Sequence, residues 1–197
     1  MTITELNLDL AVASCEGAES LIHHEPNRWA VISIRGKHER KAQLRCAKAA
    51  VEVVFDDIIR ESDDLILPSQ AHIQRVLDAL VKFAGDPLLV HCAYGASRSP
   101  AVALGAIYRS AKVKQVPNAA DFSLRWLLRI TDGRQICPNP RVASLLVKAI
   151  DHGKRNPFAK FMQHPLWPRR PEDDFYSRFF PKRLQEGQQT ANDQSQP

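Results

Sequence analysis

One short stretch combines residues that could do chemistry together: His91-Cys92-Ala93-Tyr94-Gly95-Ala96-Ser97-Arg98-Ser99. The apolar run Pro87-Leu88-Leu89-Val90 before it reads as a strand, and Pro100 after it as the first turn of a helix. A tight loop from a strand into a helix start gathers backbone N–H groups into a nest for an anion, and the helix dipole adds to it. A cysteine at the mouth of such a nest is expected to ionise more readily than a free thiol. Arg98, at the far end, offers a planar fork that binds two oxygens of an oxyanion at once, which lysine cannot do. Gly95 supplies the backbone freedom that a loop curled round an anion needs. The chemistry this set supports is attack by a thiolate on a bound tetrahedral oxyanion.

The elements that must position this loop alternate between strand and helix. Leu8–Val12, Trp29–Ile34, Val51–Phe55 and Pro87–Val90 read as strands, rich enough in apolar residues to be buried on both faces. A short helix is expected around Gly17–Ile22. Ile73, Val76, Leu77, Leu80 and Val81 make one stripe of a helix over Gln70–Ala84, with Ser69 as its cap and Gly85 as its stop. The segment after Ser99 is nearly all apolar and reads as a buried helix. Further helices are expected over Ala119–Ile130 and from Asn139-Pro140 to Ile150, the latter with a cap, a first-turn proline and Gly153 as its end. The pattern predicts the α/β class: a single domain with a central, mostly parallel sheet flanked by helices.

The 197 residues, 44% hydrophobic and 25% charged, suit one soluble globular domain. Three regions are expected: a domain over 1–155, an arm rich in proline, aromatic and basic residues over 156–184, and a disordered tail over 185–197. No apolar run is long enough to span a membrane, and the first residues do not read as a secretory signal, so a cytoplasmic location is expected. In that compartment the four cysteines, Cys15, Cys46, Cys92 and Cys137, should be free thiols. They form no C-x-x-C pair, His23-His24 reads as a surface pair, and no metal or other cofactor is implied. The net charge of +5 suits an anionic ligand without identifying it. Much of the excess lies after Lys154, where a solvated arm is a better reading than a nucleic-acid contact. Nothing in the sequence sets an oligomeric state.

The Cys92 segment resembles the H-C-x-x-G-x-x-R-S/T loop of the protein tyrosine phosphatase superfamily, especially its small bacterial dual-specificity-like branch. The resemblance covers roughly Leu8 to Ile150. Phe55-Asp56-Asp57-Ile58 looks like the F-x-D-I run of those proteins, which puts Asp57 at the place of the general acid, and Pro138-Asn139-Pro140-Arg141 looks like their last helix start. Two departures are Tyr94, where members often have alanine or glutamate, and a longer acid loop, Ile58 to Leu67. The resemblance implies the cysteine phosphatase fold and a metal-independent two-step reaction on phosphomonoesters. In it Cys92 attacks phosphorus, while Arg98 and the amides of Ala93, Tyr94, Gly95, Ala96 and Ser97 hold the oxygens. Asp57 protonates the leaving group and then activates water. Ser99 assists the sulfur as leaving group, and His91 orients the loop.

From the residues alone, Asp56, Asp63 and Asp64 stay open as alternative acids. The implied substrates are phosphorylated proteins, with tyrosine or dual specificity. A phosphoinositide fits less well, because the loop has no lysine, and an RNA 5′-triphosphatase is a further enzymatic rival. The alternative of a different class is a catalytically weak phosphate-recognition or scaffold module. A rhodanese-like sulfurtransferase fits His91, Gly95 and Ser99 poorly.

Overall fold

The computed structural model describes residues 1–132, 134–152, 158–164 and 166–167. The strands are β1 (Thr2–Ile3), β2 (Leu8–Ala13), β3 (Ala30–Arg35), β4 (Ala49–Val54) and β5 (Leu88–His91). They form one sheet in the order β1-β2-β5-β3-β4, antiparallel only between β1 and β2. The helices are α1 (Cys15–His24), α2 (Gln70–Lys82), α3 (Arg98–Val113), α4 (Ala119–Ile130), α5 (Pro140–Ile150) and α6 (Phe158–Gln163). Every strand and helix expected from the sequence is present, with ends moved by a few residues. The short β1 and α6 were not foreseen, being too short to show a period. Among the described residues no helix is long and apolar enough to cross a membrane.

Side-chain alternation along the strands sorts the core into two layers. Leu10 and Val12, Ile32 and Ile34, and Leu88 and Val90 belong to the large cluster under α2–α5. Ala13, Val31 and Leu89 belong to a smaller one with Ala18 and Ile22 of α1. Each fully buried Leu, Ile or Val is worth about 1.5–3 kcal/mol relative to exposure. The expectation of burial on both faces holds for β3 and β5 but not for β4. That strand lies at the sheet edge and pairs only with β3, so most of it stays partly exposed.

Helix α3 runs through the middle, buried from Arg98 to Tyr108, and packs on α4 and α5. Asn139 caps α5, its Oδ1 accepting from the Arg141 and Val142 amides at 3.0 and 3.1 Å. Ser14 caps α1, its Oγ accepting from Gly17 N at 3.1 Å. Of the arm expected over 156–184, α6 packs against α4 and α5, and Phe161 and Trp167 are buried. Residues 156–157, 165 and 168–184 of the arm, the 185–197 tail and the stop at Gly153 lie outside the described residues.

Candidate active site

The loop from Cys92 to Ser97 leaves the C-terminal end of β5, a central strand, and enters α3. Its shape is imposed by neighbours. The Ala93 carbonyl accepts from Cys15 N at 3.1 Å, the Ala96 carbonyl from Cys137 N at 2.8 Å, and the Ser97 carbonyl from Asn139 N at 3.1 Å. With carbonyls turned outward, a loop of this kind presents its amides to its own centre, which makes it an anion nest. Gly95 has φ +74°, and a Cβ there would come within 2.7 Å of the Ala13–Ser14 backbone. Both the left-handed conformation and the close approach require glycine.

Cys92 is buried, and its Sγ lies 3.2 Å from Ser99 Oγ. Arg98 is only 2% exposed although it is charged. Its Nη1 donates to Glu39 Oε2 at 3.0 Å and to the Phe55 carbonyl at 3.2 Å, and its Nη2 donates to Glu39 Oε1 at 2.5 Å. These three bonds use three of the five N–H donors of a guanidinium. The remaining two are the Nε–H, which has no partner among the described residues, and the second Nη2–H. They share one edge of the plane, the spacing that matches two oxygens of a phosphate. Burial alone would lower the Arg98 pKa, but the Glu39 carboxylate, helped by Cys92 and Asp57, raises it. For Glu39 burial pushes the other way, and Arg98 with the Gly36 amide brings its carboxyl below the usual range.

The aspartates of the expected acid segment separate cleanly. Asp57 is exposed, and its Oδ1 accepts from Ser97 Oγ and from Asn139 Nδ2, both at 2.8 Å. Its carboxylate is therefore tied to the end of the phosphate loop, with Oδ2 outside that pair of bonds. Asp56 is buried and braces the backbone instead: Oδ1 accepts from Lys37 N at 3.1 Å and Oδ2 from Ile66 N at 2.7 Å. A Cβ on Gly36 would run into the Asp56 carboxylate, so that turn also needs glycine. Asp64 lies in the exposed part of the acid loop, paired with Lys37 Nζ at 2.6 Å and His38 Nε2 at 3.0 Å. Lys37 is the main reason its carboxyl sits below the usual range. Asp63 is exposed.

The structure thus brings Cys92, Arg98, Ser99 and Asp57 together and turns Asp56 and Asp64 to other tasks. His91 is buried beneath the loop, and burial lowers its pKa, the adjacent Cys92 backbone offsetting part of that. Tyr94 belongs to the loop, and the residue is 86% exposed. Glu39 escaped the reading of the sequence, as did the hold of Asn139 on Asp57. A buried arginine demands a counter-charge, but Glu39 is 59 residues away in a run of charges and carries no local mark. Among the described residues no group of three or more His, Cys, Asp or Glu side chains is placed to hold a metal ion.

The sequence matches no protein-family model, and no curated protein matches it. Solved structures do match. The phosphatase domain of Yvh1 from Chaetomium thermophilum aligns with a TM-score of 0.52 at 20% identity, over 73% of this chain and 91% of that one. OH1 from the Orf virus, described as a tyrosine phosphatase with triple substrate specificity, aligns at 0.51 and 17% identity, over 76% and 87%. Human DUSP28 aligns at 0.50 and 21% identity, over 73% and 92%. At such identities the likeness speaks for architecture, and the chain has the fold of the tyrosine and dual-specificity phosphatases.

Proposed function

We propose that the chain is a metal-independent phosphomonoester hydrolase that works through a phosphocysteine intermediate, a phosphatase of the tyrosine or dual-specificity kind. The observation that carries the reading is the convergence on one loop of the Cys92 sulfur, the open Nε/Nη2 edge of Arg98 and the tethered carboxylate of Asp57. The Cys92 thiolate attacks phosphorus in line, while Arg98 and the amides of Ala93 to Ser97 take up the charge on the equatorial oxygens. Asp57, protonated, delivers its proton to the departing oxygen, and as carboxylate takes one from the water that cleaves the P–S bond. The Ser99 hydroxyl, in reach of the sulfur, stabilises the thiolate as it leaves in that second step. His91 shapes the loop from below and does not touch the substrate.

The substrates in this reading are phosphorylated proteins, and nucleic acid has no role in it. A reducing, cytoplasmic setting belongs to the same proposal, because the nucleophile works only while its sulfur stays unoxidised. The test is turnover of p-nitrophenyl phosphate in the presence of EDTA, with phosphotyrosyl and phosphothreonyl peptides as the specificity arm. Turnover is expected, and its loss in Cys92→Ser. Activity that survives Cys92→Ser, or phosphate binding without any turnover, contradicts the proposal; the second result is what a phosphate-recognition module would give.

A further inference from the structure

Two helix caps meet at Asp57. Ser97 is the N-cap residue of α3 and Asn139 that of α5. A capping side chain ordinarily turns back to accept from the amides of its own helix. The Ser97 hydroxyl makes no such bond and donates to Asp57 Oδ1 instead, at 2.8 Å. Asn139 does both. Its Oδ1 accepts from the Arg141 and Val142 amides, while its Nδ2 donates to Asp57 Oδ1 at 2.8 Å and to the Ile58 carbonyl at 3.4 Å.

A side-chain amide has two acceptor sites on its oxygen and two N–H donors. All four are used here. Turned over, the amide would set its N–H groups against the helix amides and its oxygen against a carboxylate and a carbonyl, so its orientation is fixed. Pro140 confines the Asn139 backbone to the extended region, where its ψ is 116°. The Asn139 N–H donates to the Ser97 carbonyl at 3.1 Å, which joins the two caps directly. Both caps are buried, whereas Asp57 is exposed. Burial does not orient that carboxyl group; its two donors do.

Both donors converge on Oδ1, and Oδ2 lies outside the pair of bonds. In a protonated carboxyl group the carbonyl oxygen still accepts two bonds, but a proton placed on Oδ1 would set O–H against both donors. The same contacts therefore hold the acid and its base, with the proton carried on Oδ2.

We infer that Ser97 and Asn139 are the positioning residues of the general acid, assigning its proton to Oδ2 and holding the direction of that oxygen through both steps. The inference rests on the hydrolase reading above, with Asp57 as its acid. In the first step the Cys92 sulfur bonds to phosphorus as the ester P–O bond breaks, and the leaving oxygen takes the proton from Oδ2. In the second, a water oxygen bonds to phosphorus as the P–S bond breaks, Oδ2 takes the water's proton, and the thiolate returns. Ser97 Oγ and Asn139 Nδ2 act through Asp57 and exchange no proton with the substrate.

The test uses Ser97→Ala, which keeps the loop amide, and Asn139→Ser, which keeps a good cap for α5 but is too short to reach Asp57 as well. kcat/KM is measured for benzyl phosphate, whose alkoxide needs a proton to leave, and for p-nitrophenyl phosphate, whose phenolate needs little help. Each variant should lower kcat/KM on benzyl phosphate by about tenfold and the two together by about 10²-fold, the cost of a misplacement of about 1 Å. The loss on p-nitrophenyl phosphate should be much smaller. In an Asp57→Asn background, where no proton remains to be placed, the same substitutions should change benzyl phosphate hydrolysis by less than about twofold.

The inference is overturned if the doubly substituted protein keeps the original ratio between the two substrates. That includes the case in which both fall alike, as damage to the fold would make them do. It is equally overturned if the losses multiply with that of Asp57→Asn. Failure of the earlier reading looks different: the unaltered protein would not turn over p-nitrophenyl phosphate, or Asp57→Asn alone would leave the ratio undisturbed, and the inference would fall with it.

Discussion

The segment from Cys92 to Arg98 and the segment from Asp57 to Leu67 flank the same site and are built in opposite ways. In the first, Cys92 and Arg98 are each 2% exposed and Ser99 is fully buried, and the surrounding backbone accepts or donates at almost every turn. In the second, Glu61 to Leu65 are exposed, and the outermost tie is the surface group of Lys37, His38 and Asp64. Surface pairs of that kind contribute about 0–1 kcal/mol. Removing one partner from a fully buried ion pair costs about 3–5 kcal/mol. The Arg98–Glu39 pair lies below that range, because Glu39 keeps 32% of its surface. In the proposed reaction, the half of the site that would hold negative charge is therefore built from buried, hydrogen-bonded groups. The half that would supply a proton rests on a few polar contacts.

The largest effect should come from breaking the rigid half. Arg98→Lys should be nearly as damaging as Arg98→Ala in kcat/KM, because lysine keeps the charge but has neither the open edge for phosphate nor the opposite edge for Glu39. Glu39→Gln should impair catalysis less than either, while lowering thermal stability. If Arg98→Lys keeps most of the activity, the two-edged role of the guanidinium is wrong.

Next comes the more exposed half. Asp57→Asn should lower kcat by about 10²–10⁴ on phosphotyrosine or an alkyl phosphate, and by less on an activated aryl phosphate whose leaving group needs no proton. Asp56→Asn should leave that leaving-group dependence alone and lower Tm instead, since Asp56 ties Lys37 to Ile66. An inverted pair of outcomes, or the leaving-group pattern appearing in Asp64→Asn, would show that the acid has been misassigned.

The smallest expected effect concerns pH. Burial depresses the pKa of His91 and of His72, so the unfolded chain binds protons that the folded chain refuses. By linkage, stability from these groups is complete above the ordinary histidine value and falls as pH drops through and below it. Chemical denaturation across pH 8 to 5 should show that decline, and His91→Gln should flatten part of it. A stability that rises over the same interval would contradict the buried, neutral state of His91.

The same contrast explains what could be read in advance. Cys92 and Gly95 stand in one loop and Arg98 and Ser99 in the helical turn that follows it, so their closeness along the chain is also closeness in space. The strands and helices were legible because apolar periodicity is local. The choice among Asp56, Asp57, Asp63 and Asp64 was not, since adjacent aspartates have the same composition around them. Their roles diverge only through Ser97 and Asn139 on one side and Lys37 and Ile66 on the other. Glu39 was hidden for the same reason: its hold on Arg98 is a pairing between segments that the chain brings together only by folding.

The most direct test of the central claim is to catch the covalent intermediate. The protein is mixed with ³²P-labelled phosphotyrosyl peptide and quenched in acid within its first turnovers, and the labelled peptide is then mapped. The account predicts phosphate on the peptide containing Cys92, absent in Cys92→Ser and more abundant in Asp57→Asn with an activated substrate, where hydrolysis of the intermediate is slowed. Label on any other residue, or steady turnover with no label on Cys92 at the shortest times, would contradict it.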